Sequence, residues 1–321
     1  MNSDQYTRII TALQDSADVR PSIRAGALDG AVFVGSGDSL SSGLLASAFG
    51  HRALSSGDIT WTGRLPAGAE IVVGISHSGT SGATVRALRL AREAGKRTIA
   101  ITSNPDSPLA AEADELQLVP SLGIEEVVPV AGHLMLGLGV AAVCGVDTAE
   151  ATNDLAHVIA AQRDVIDGAI QGLPASAPTG ISLLTLPELR GAGDFWMLKL
   201  IEATGLTVRT VALEESGHVD YFIGPDAHLT LQLVGKDGSA RFERLAVALE
   251  STGQTLQRVG LLRGDTGADI RGSLLFELAG AAVGTLVADA AAAKWGRPPF
   301  RGGAVNMDAR HIKLDEEPAA V

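Results

Sequence analysis

The sequence has little of what several common chemistries require. It holds a single cysteine, Cys144, in 321 residues. That excludes an intramolecular disulfide and a cysteine-based zinc site. Aromatic residues make up only 4% and charged residues 19%, so the core must be built from Ala, Leu, Val and Ile. An excess of positive charge is missing too. Lys and Arg number 25 against 37 Asp and Glu, a net charge of −12. A phosphate-rich polymer or an anionic membrane demands a basic face, so neither is an expected partner. The first residues, MNSDQYTRII, lack the basic-then-apolar pattern of a signal peptide. The longest apolar stretches, residues 134–146 and 278–293, are respectively too short to span a bilayer and Ala-rich with an internal Asp289. Both read as buried helices. No Walker A or Gly-x-Gly-x-x-Gly pattern is present, and no His/Asp/Glu cluster has metal-ligand spacing. The expectation is a cytoplasmic protein that needs no metal or cofactor.

What is present is a repeating strand–turn–helix pattern. Apolar residues make up 46%, and 38 Gly against 13 Pro suit many tight turns. Residues 3–18 read as a capping helix. A strand at 31–34, the turn 35–39 and apolar residues at helical spacing (Leu40, Leu44, Leu45, Ala48) follow. The pattern returns with a strand at 70–74, a turn at 75–81 and a helix at 82–94. Strands at 97–102 and 115–119 and a helix at 125–143 complete the first half. A polar helix at 148–171 leads to a linker at 173–178. The second half repeats the logic, with strands at 180–186, 208–212, 229–234 and 256–262 and helices at 190–204, 242–252 and 274–295. Buried strands alternating with helices imply parallel sheets covered on both faces. Length suits two domains, placed at 1–150 and 151–321. Residues 71–102 and 231–262 look like copies of one unit. The first turn holds Ser76, Ser78, Thr80 and Ser81; the second holds Lys236, Asp237, Gly238 and Ser239. A duplicated fold would thus have kept one oxyanion site and lost the other.

The turn Gly74-Ile-Ser-His-Ser-Gly-Thr-Ser81 is the candidate phosphate cradle. A helix begins within it, so unpaired N–H groups and the positive dipole end meet several hydroxyls. Ser76, His77, Ser78, Thr80 and Ser81 are its members. Without a Lys it suits a small sugar phosphate better than a triphosphate. Asp38 and Ser39 occupy a second strand–helix turn that would adjoin the same ligand. Asp38 repels phosphate, so it would contact a sugar hydroxyl or cap its own helix.

Lys199 and Glu202 lie three apart on one helix face, and His218 follows 16 residues after Glu202 on an expected loop beyond a strand. Read alone, Lys199 and Glu202 are either a surface ion pair or a catalytic pair. A carboxylate and an imidazole suit proton shuffling on a sugar: the first moves a proton between adjacent carbons, the second opens the ring. Cys144 reads as inert core, and His51, His133, His157 and His228 as structural or surface residues.

Together these residues resemble the sugar isomerase (SIS) family in its double-domain form, over about residues 25–315. The resemblance implies an α/β fold of two tandem SIS domains, each a parallel-sheet, flavodoxin-like α/β/α sandwich. Ser76-His-Ser-Gly-Thr-Ser81 resembles the family's phosphate loop, with Ser81 in place of Thr. Ser36-Gly-Asp-Ser39 resembles its first loop, with Asp38 in place of Thr. Gly123-Ile-Glu125 resembles a turn whose Glu lies near the sugar. Lys199, Glu202 and His218 match the spacing in the isomerase half of glucosamine-6-phosphate synthase. The resemblance implies Glu202 as proton-transfer base and His218 as ring-opening acid/base. It also implies that His218 is contributed by a neighbouring subunit of a homodimer. Residues 297–306 are closer to tagatose-6-phosphate isomerase and galactosamine-6-phosphate deaminase relatives. Lys313 departs from the family's Schiff-base spacing, and residues 131–135 depart from its sugar-contacting helix. The expected activity is a phosphosugar aldose–ketose isomerase. The alternatives are an amino-sugar-phosphate deaminase or deglycase and a non-catalytic phosphosugar sensor.

Overall fold

The computed structural model describes residues 3–23, 28–223, 227–235, 239–263 and 269–296. The tail from 297 onward, Lys313, and residues 236–238 of the second turn lie outside the described residues. The chain divides into two compact units, and each half of the sequence builds most of one.

The first-half unit comprises Ala17–Leu122 and Ala131–Ala151. Its elements are β1 (Ala31–Gly35), α2 (Asp38–Leu44), β2 (Arg52–Ser55), α3 (Ser56–Thr62), β3 (Ile71–Ile75), α4 (Gly82–Glu93), β4 (Arg97–Thr102), α5 (Pro108–Ala111), β5 (Glu115–Leu118) and α6 (Ala131–Val143). Helix α1 (Ser3–Asp15) precedes them in the chain. All strand pairs in the sheet are parallel, in the order β2-β1-β3-β4-β5. Strands β1 and β3 are buried at every residue, as expected for strands covered on both faces. Helix α6 is buried nearly all round. A Cβ at its Gly139 would meet Ile101 and Val119 at 2.7 Å, so glycine lets α6 sit close against the sheet.

The second-half unit comprises Gly123–Val130 and Thr152–Phe300 together with α1. Its sheet has the order β7-β6-β8-β9, again all parallel. The strands are β6 (Gly180–Thr185), β7 (Val208–Ala212), β8 (His228–Val234) and β9 (Thr255–Gly260). The helices are α7 (Ala151–Ala160), α8 (Arg163–Gly172), α9 (Arg190–Thr204), α10 (Leu213–Val219), α11 (Ser239–Glu250) and α12 (Ile270–Lys294). By length and composition α12 could cross a membrane, yet 89% of its most apolar window is buried within the fold. It serves as the core helix, and α9 packs along it. A Cβ at Gly284 would lie 2.4 Å from the Trp196 ring, and Trp196 Nε1 donates to the Gly280 carbonyl at 2.7 Å. That close approach fixes α9.

Several expectations need correction. Helix α1 and residues 123–130 cluster with the second-half unit, not the first. The helix expected at 125–143 starts at Ala131. The polar helix at 148–171 is two helices, α7 and α8. Strand β2 and helix α3 were not foreseen, because β2 is a four-residue edge strand with no fully buried residue. His218 lies on a helix, α10, rather than a loop.

Candidate active site

In both sheets the strand order reverses between two central strands, β1 and β3 in one, β6 and β8 in the other. Ligands of open parallel sheets bind outside the carboxyl ends of the strands at this switch point. The two serine-rich turns of the first half, Ser36–Ser39 and Ser76–Ser81, leave β1 and β3 there.

The β3–α4 turn is rigidly held. The His77 carbonyl accepts from Thr102 Oγ1 (3.0 Å), Ser103 Oγ (2.8 Å) and the Ser103 N–H (3.0 Å). The Gly79 carbonyl accepts from the Leu109 N–H at 3.0 Å. Gly79 has φ +69°, and a Cβ there would fall 2.1 Å from Ser107 Oγ. Only glycine fits on both counts. Ser76 is buried, whereas Ser78 and Thr80 are exposed with hydroxyls 2.7 Å apart. Ser81 is the N-cap of α4, yet its side chain makes no cap hydrogen bond; its Oγ accepts from Thr84 Oγ1 at 3.2 Å. The first-turn amides of α4 therefore have no intrahelical acceptor. Burial pushes the His77 imidazole below its usual range, so it adds no positive charge at neutral pH. Its ring lies 3.4 Å from where a Gly132 Cβ would stand, on the first turn of α6.

The β1–α2 turn places Asp38 as the first residue of α2, with Gly37 (φ +57°) as the N-cap. Asp38 is thus not the cap itself. Its carbonyl accepts from Ser42 Oγ at 3.0 Å, and Ser42 Oγ lies 2.9 Å from His133 Nδ1. His133, read as structural or surface, is buried and ties α6 to α2. Ser39 follows Asp38, half-buried.

Lys199, Glu202 and His218 belong to the second-half unit, as does exposed Glu125. Lys199 is fully buried, and its ammonium contacts both Glu202 oxygens at 3.0 and 2.9 Å. It also lies 5.0 Å from the centre of the Phe195 ring. Glu202 keeps 43% of its side-chain surface. A buried ammonium bears a large desolvation cost, so this is not an ordinary surface pair. His218, in the last turn of α10, is exposed. Burial pushes the Cys144 thiol up to about 12, consistent with an inert cysteine.

The second-half switch point holds a residue that the sequence reading passed over. Glu277 of α12 is buried and its Oε1 accepts from the Gly191 N–H (2.6 Å) and the Ala192 N–H (3.2 Å) at the start of α9. Burial lifts its carboxyl to about 7, against the pull of those two N–H groups. Nearby, Glu188 pairs with Arg263 at 2.8 Å. The available signal was a lone carboxylate at the edge of an Ala-rich apolar stretch.

The fold and its serine-rich switch point define the class, a parallel α/β protein with a hydroxyl-lined loop at a helix start. Residues 67–123 match the SIS domain model. A 56-residue segment is 50% identical to N-acetylmuramic acid 6-phosphate etherase of Symbiobacterium thermophilum, covering 17% of this chain and 18% of that protein. A 73-residue segment is 41% identical to 3-hexulose-6-phosphate isomerase of Mycobacterium gastri, covering 23% and 36%. Both matches span well under two thirds of the relative's length. The fold is similar over nearly the whole chain to glucosamine-6-phosphate deaminase of Thermotoga maritima, with TM-score 0.71, 18% identity, and 93% and 95% of the two chains covered.

Proposed function

We propose that this protein is an aldose–ketose isomerase for a phosphorylated sugar or amino sugar, acting through a cis-enediol without a cofactor. The observation that carries the reading is the Lys199–Glu202 pair. A fully buried ammonium grips both oxygens of a half-exposed carboxylate. Glu202 is thereby presented to solvent in one orientation, as a proton-transfer base requires. In this reading Ser76, Ser78, Thr80 and Ser81 bind the phosphate with the α4 amides, His77 backs the loop, and Ser39 and Asp38 contact the sugar. His218 trades protons with the ring oxygen and O1. Glu202 carries the proton between C1 and C2, and Lys199 orients it and offsets charge developing on oxygen. Glu125 lies near the sugar. The assembly is a homodimer whose active site is shared through His218, located in the cytoplasm. The two halves act as tandem SIS domains, with α1 and residues 123–130 joined to the second. The strand order β7-β6-β8-β9, which repeats β2-β1-β3-β4, supports that view.

A second reading is favoured by the matches to an etherase and by the fold shared with a deaminase. It begins with the same proton abstraction and ends by expelling a substituent. Proton NMR in D₂O with a panel of hexose and hexosamine 6-phosphates separates the readings. Deuterium exchange at C1 or C2 with a ketose product is expected. Release of ammonia or a carboxylic acid fragment selects the eliminating reaction. Glu202→Gln is expected to slow exchange roughly 10²- to 10⁴-fold. Unchanged turnover in that variant sinks the assignment of Glu202, and ligand-dependent stabilisation without exchange by any sugar identifies a sensor instead.

A further inference from the structure

Two residues beyond His218, Asp220 is completely buried. Its Oδ1 accepts from Ser182 Oγ of β6 at 2.5 Å and from the Arg209 guanidinium of β7 at 2.5 Å. Its carbonyl accepts from Gln254 Nε2 at 2.6 Å, just ahead of β9, and from the Ile223 N–H at 3.1 Å. His228 Nε2 of β8 lies 2.9 Å from the same Ser182 Oγ. The serine's one proton goes to the carboxylate, so His228 donates to the serine.

Ser182, His228 and Asp220 are the residue types of a nucleophilic triad, but the wiring is not that of one. The carboxylate sits on the serine and on Arg209 rather than on the imidazole, and Ser182 is fully buried. A triad needs the acid on the histidine and an accessible hydroxyl. The network is an anchor instead. It is also a poor stabiliser, because Asp220 Oδ2 is buried without a hydrogen-bond partner. An unpaired oxygen on a buried carboxylate costs free energy.

What the anchor holds is α10. This seven-residue helix buries only Leu213 and Ser216, while His218 and Val219 face solvent. So short a helix has no stability of its own. Its direction is set where its ends are fixed, and Asp220 is its C-terminal fixing point. We infer that Asp220 is a positioning residue for His218, locking the α10 terminus to β6, β7 and the approach to β9 so that the imidazole is presented in one orientation. This rests on the reading of His218 as the ring-opening group.

The test separates ring opening from binding and folding. Anomer interconversion of glucose 6-phosphate and glucosamine 6-phosphate is followed by saturation-transfer NMR with the full-length protein. Affinity for each sugar phosphate and the thermal midpoint are measured alongside. Asp220→Asn keeps the shape and removes the charge that Arg209 grips. It is expected to lose tenfold or more of the anomerisation rate, with sugar-phosphate affinity within twofold of the parent. Ser182→Ala, which removes one arm of the anchor, is expected to lose about threefold, and it carries the test alone if Asp220→Asn does not fold. His218→Gln is the control. No acceleration by the parent protein, or an unchanged rate in His218→Gln, overturns the reading of His218 and this inference with it. Loss in His218→Gln with parental rates in folded Asp220→Asn, or in Ser182→Ala alone, overturns this inference only.

Discussion

The β1–β3 switch point and the β6–β8 switch point are made by the same strand order and differ in what meets the helix amides there. At the first, backbone amides of α4 and the hydroxyls of Ser78, Thr80 and Ser81 stand at the carboxyl end of a buried strand, and Ser81 leaves its cap position unused. At the second, the amides that open α9 are already satisfied by Glu277, and Glu188 with Arg263 stands close by. At the start of α4 an anion finds donors, with Asp38 on the neighbouring turn; at the start of α9 it meets Glu277. The same strand order therefore does not carry the same groups at its switch point. At the start of α9 an internal carboxylate, Glu277, supplies the negative charge that the helix dipole favours.

The largest effect expected from breaking this comparison is at Gly79. Gly79→Ala forces a side chain into a positive-φ residue and onto Ser107 Oγ at 2.1 Å. A cost of about 4 kcal/mol is expected from strain and overpacking together. Denaturant unfolding measures it, and sugar-phosphate binding should vanish with it. Parental stability would show that the loop is not held as described.

Next comes Glu277. Its folded carboxyl titrates at about 7 against 4.5 for the ordinary group. The folded state therefore binds the proton more tightly than the unfolded chain does. Stability from this group is fully present below pH 4.5 and declines as pH rises through about 7. The loss is about 3 kcal/mol at most. Glu277→Gln keeps an acceptor for the α9 amides without the charge. Its stability should lack that decline, so that its advantage over the parent grows as pH rises through about 7 and it exceeds the parent's at pH 8, as read from unfolding curves at several pH values. Parallel pH curves for the two proteins would mean that Glu277 does not carry the charge at this switch point.

The smallest expected change in stability sharpens the comparison most. Ser81 does not cap α4 through its side chain, so Ser81→Ala should shift stability by less than about 0.5 kcal/mol. Sugar-phosphate affinity should nonetheless fall about tenfold, the worth of one hydrogen bond to a charged oxygen. Calorimetric titration and thermal unfolding of one sample decide it. Ser107→Ala is the contrast. Its hydroxyl accepts from the Ala110 N–H as a true N-cap at 3.3 Å. Its loss should cost about 1 kcal/mol.

Much of this architecture could be read from residue order. Strands such as 71–75 are continuously apolar and bounded by Gly/Ser turns, a pattern that marks a buried parallel strand without reference to neighbours. Edge strand β2 escaped notice because its residues 52–55 are only half-covered and carry no such run. The clustering of α1 and residues 123–130 with the second-half unit was equally hidden, since contacts such as Gln5 Nε2 to the Val128 carbonyl (2.7 Å) join residues 123 positions apart. Within the candidate site, the hydroxyls of residues 76–81 were legible because they are consecutive. The pairing of Lys199 with Glu202 was legible as a helical i,i+3 relation.

By itself, then, the sequence determined the local elements, the serine-rich loop and the Lys199–Glu202 pairing, because these depend on residues within a turn or two of one another. Only the tertiary structure decided that Lys199 is completely buried, that Glu277 occupies the start of α9, and that Asp220 ties α10 to the sheet. Each of those depends on side chains brought together from distant strands and helices. Burial, which sets the cost of a charge, is a property of that packing and not of the order of residues.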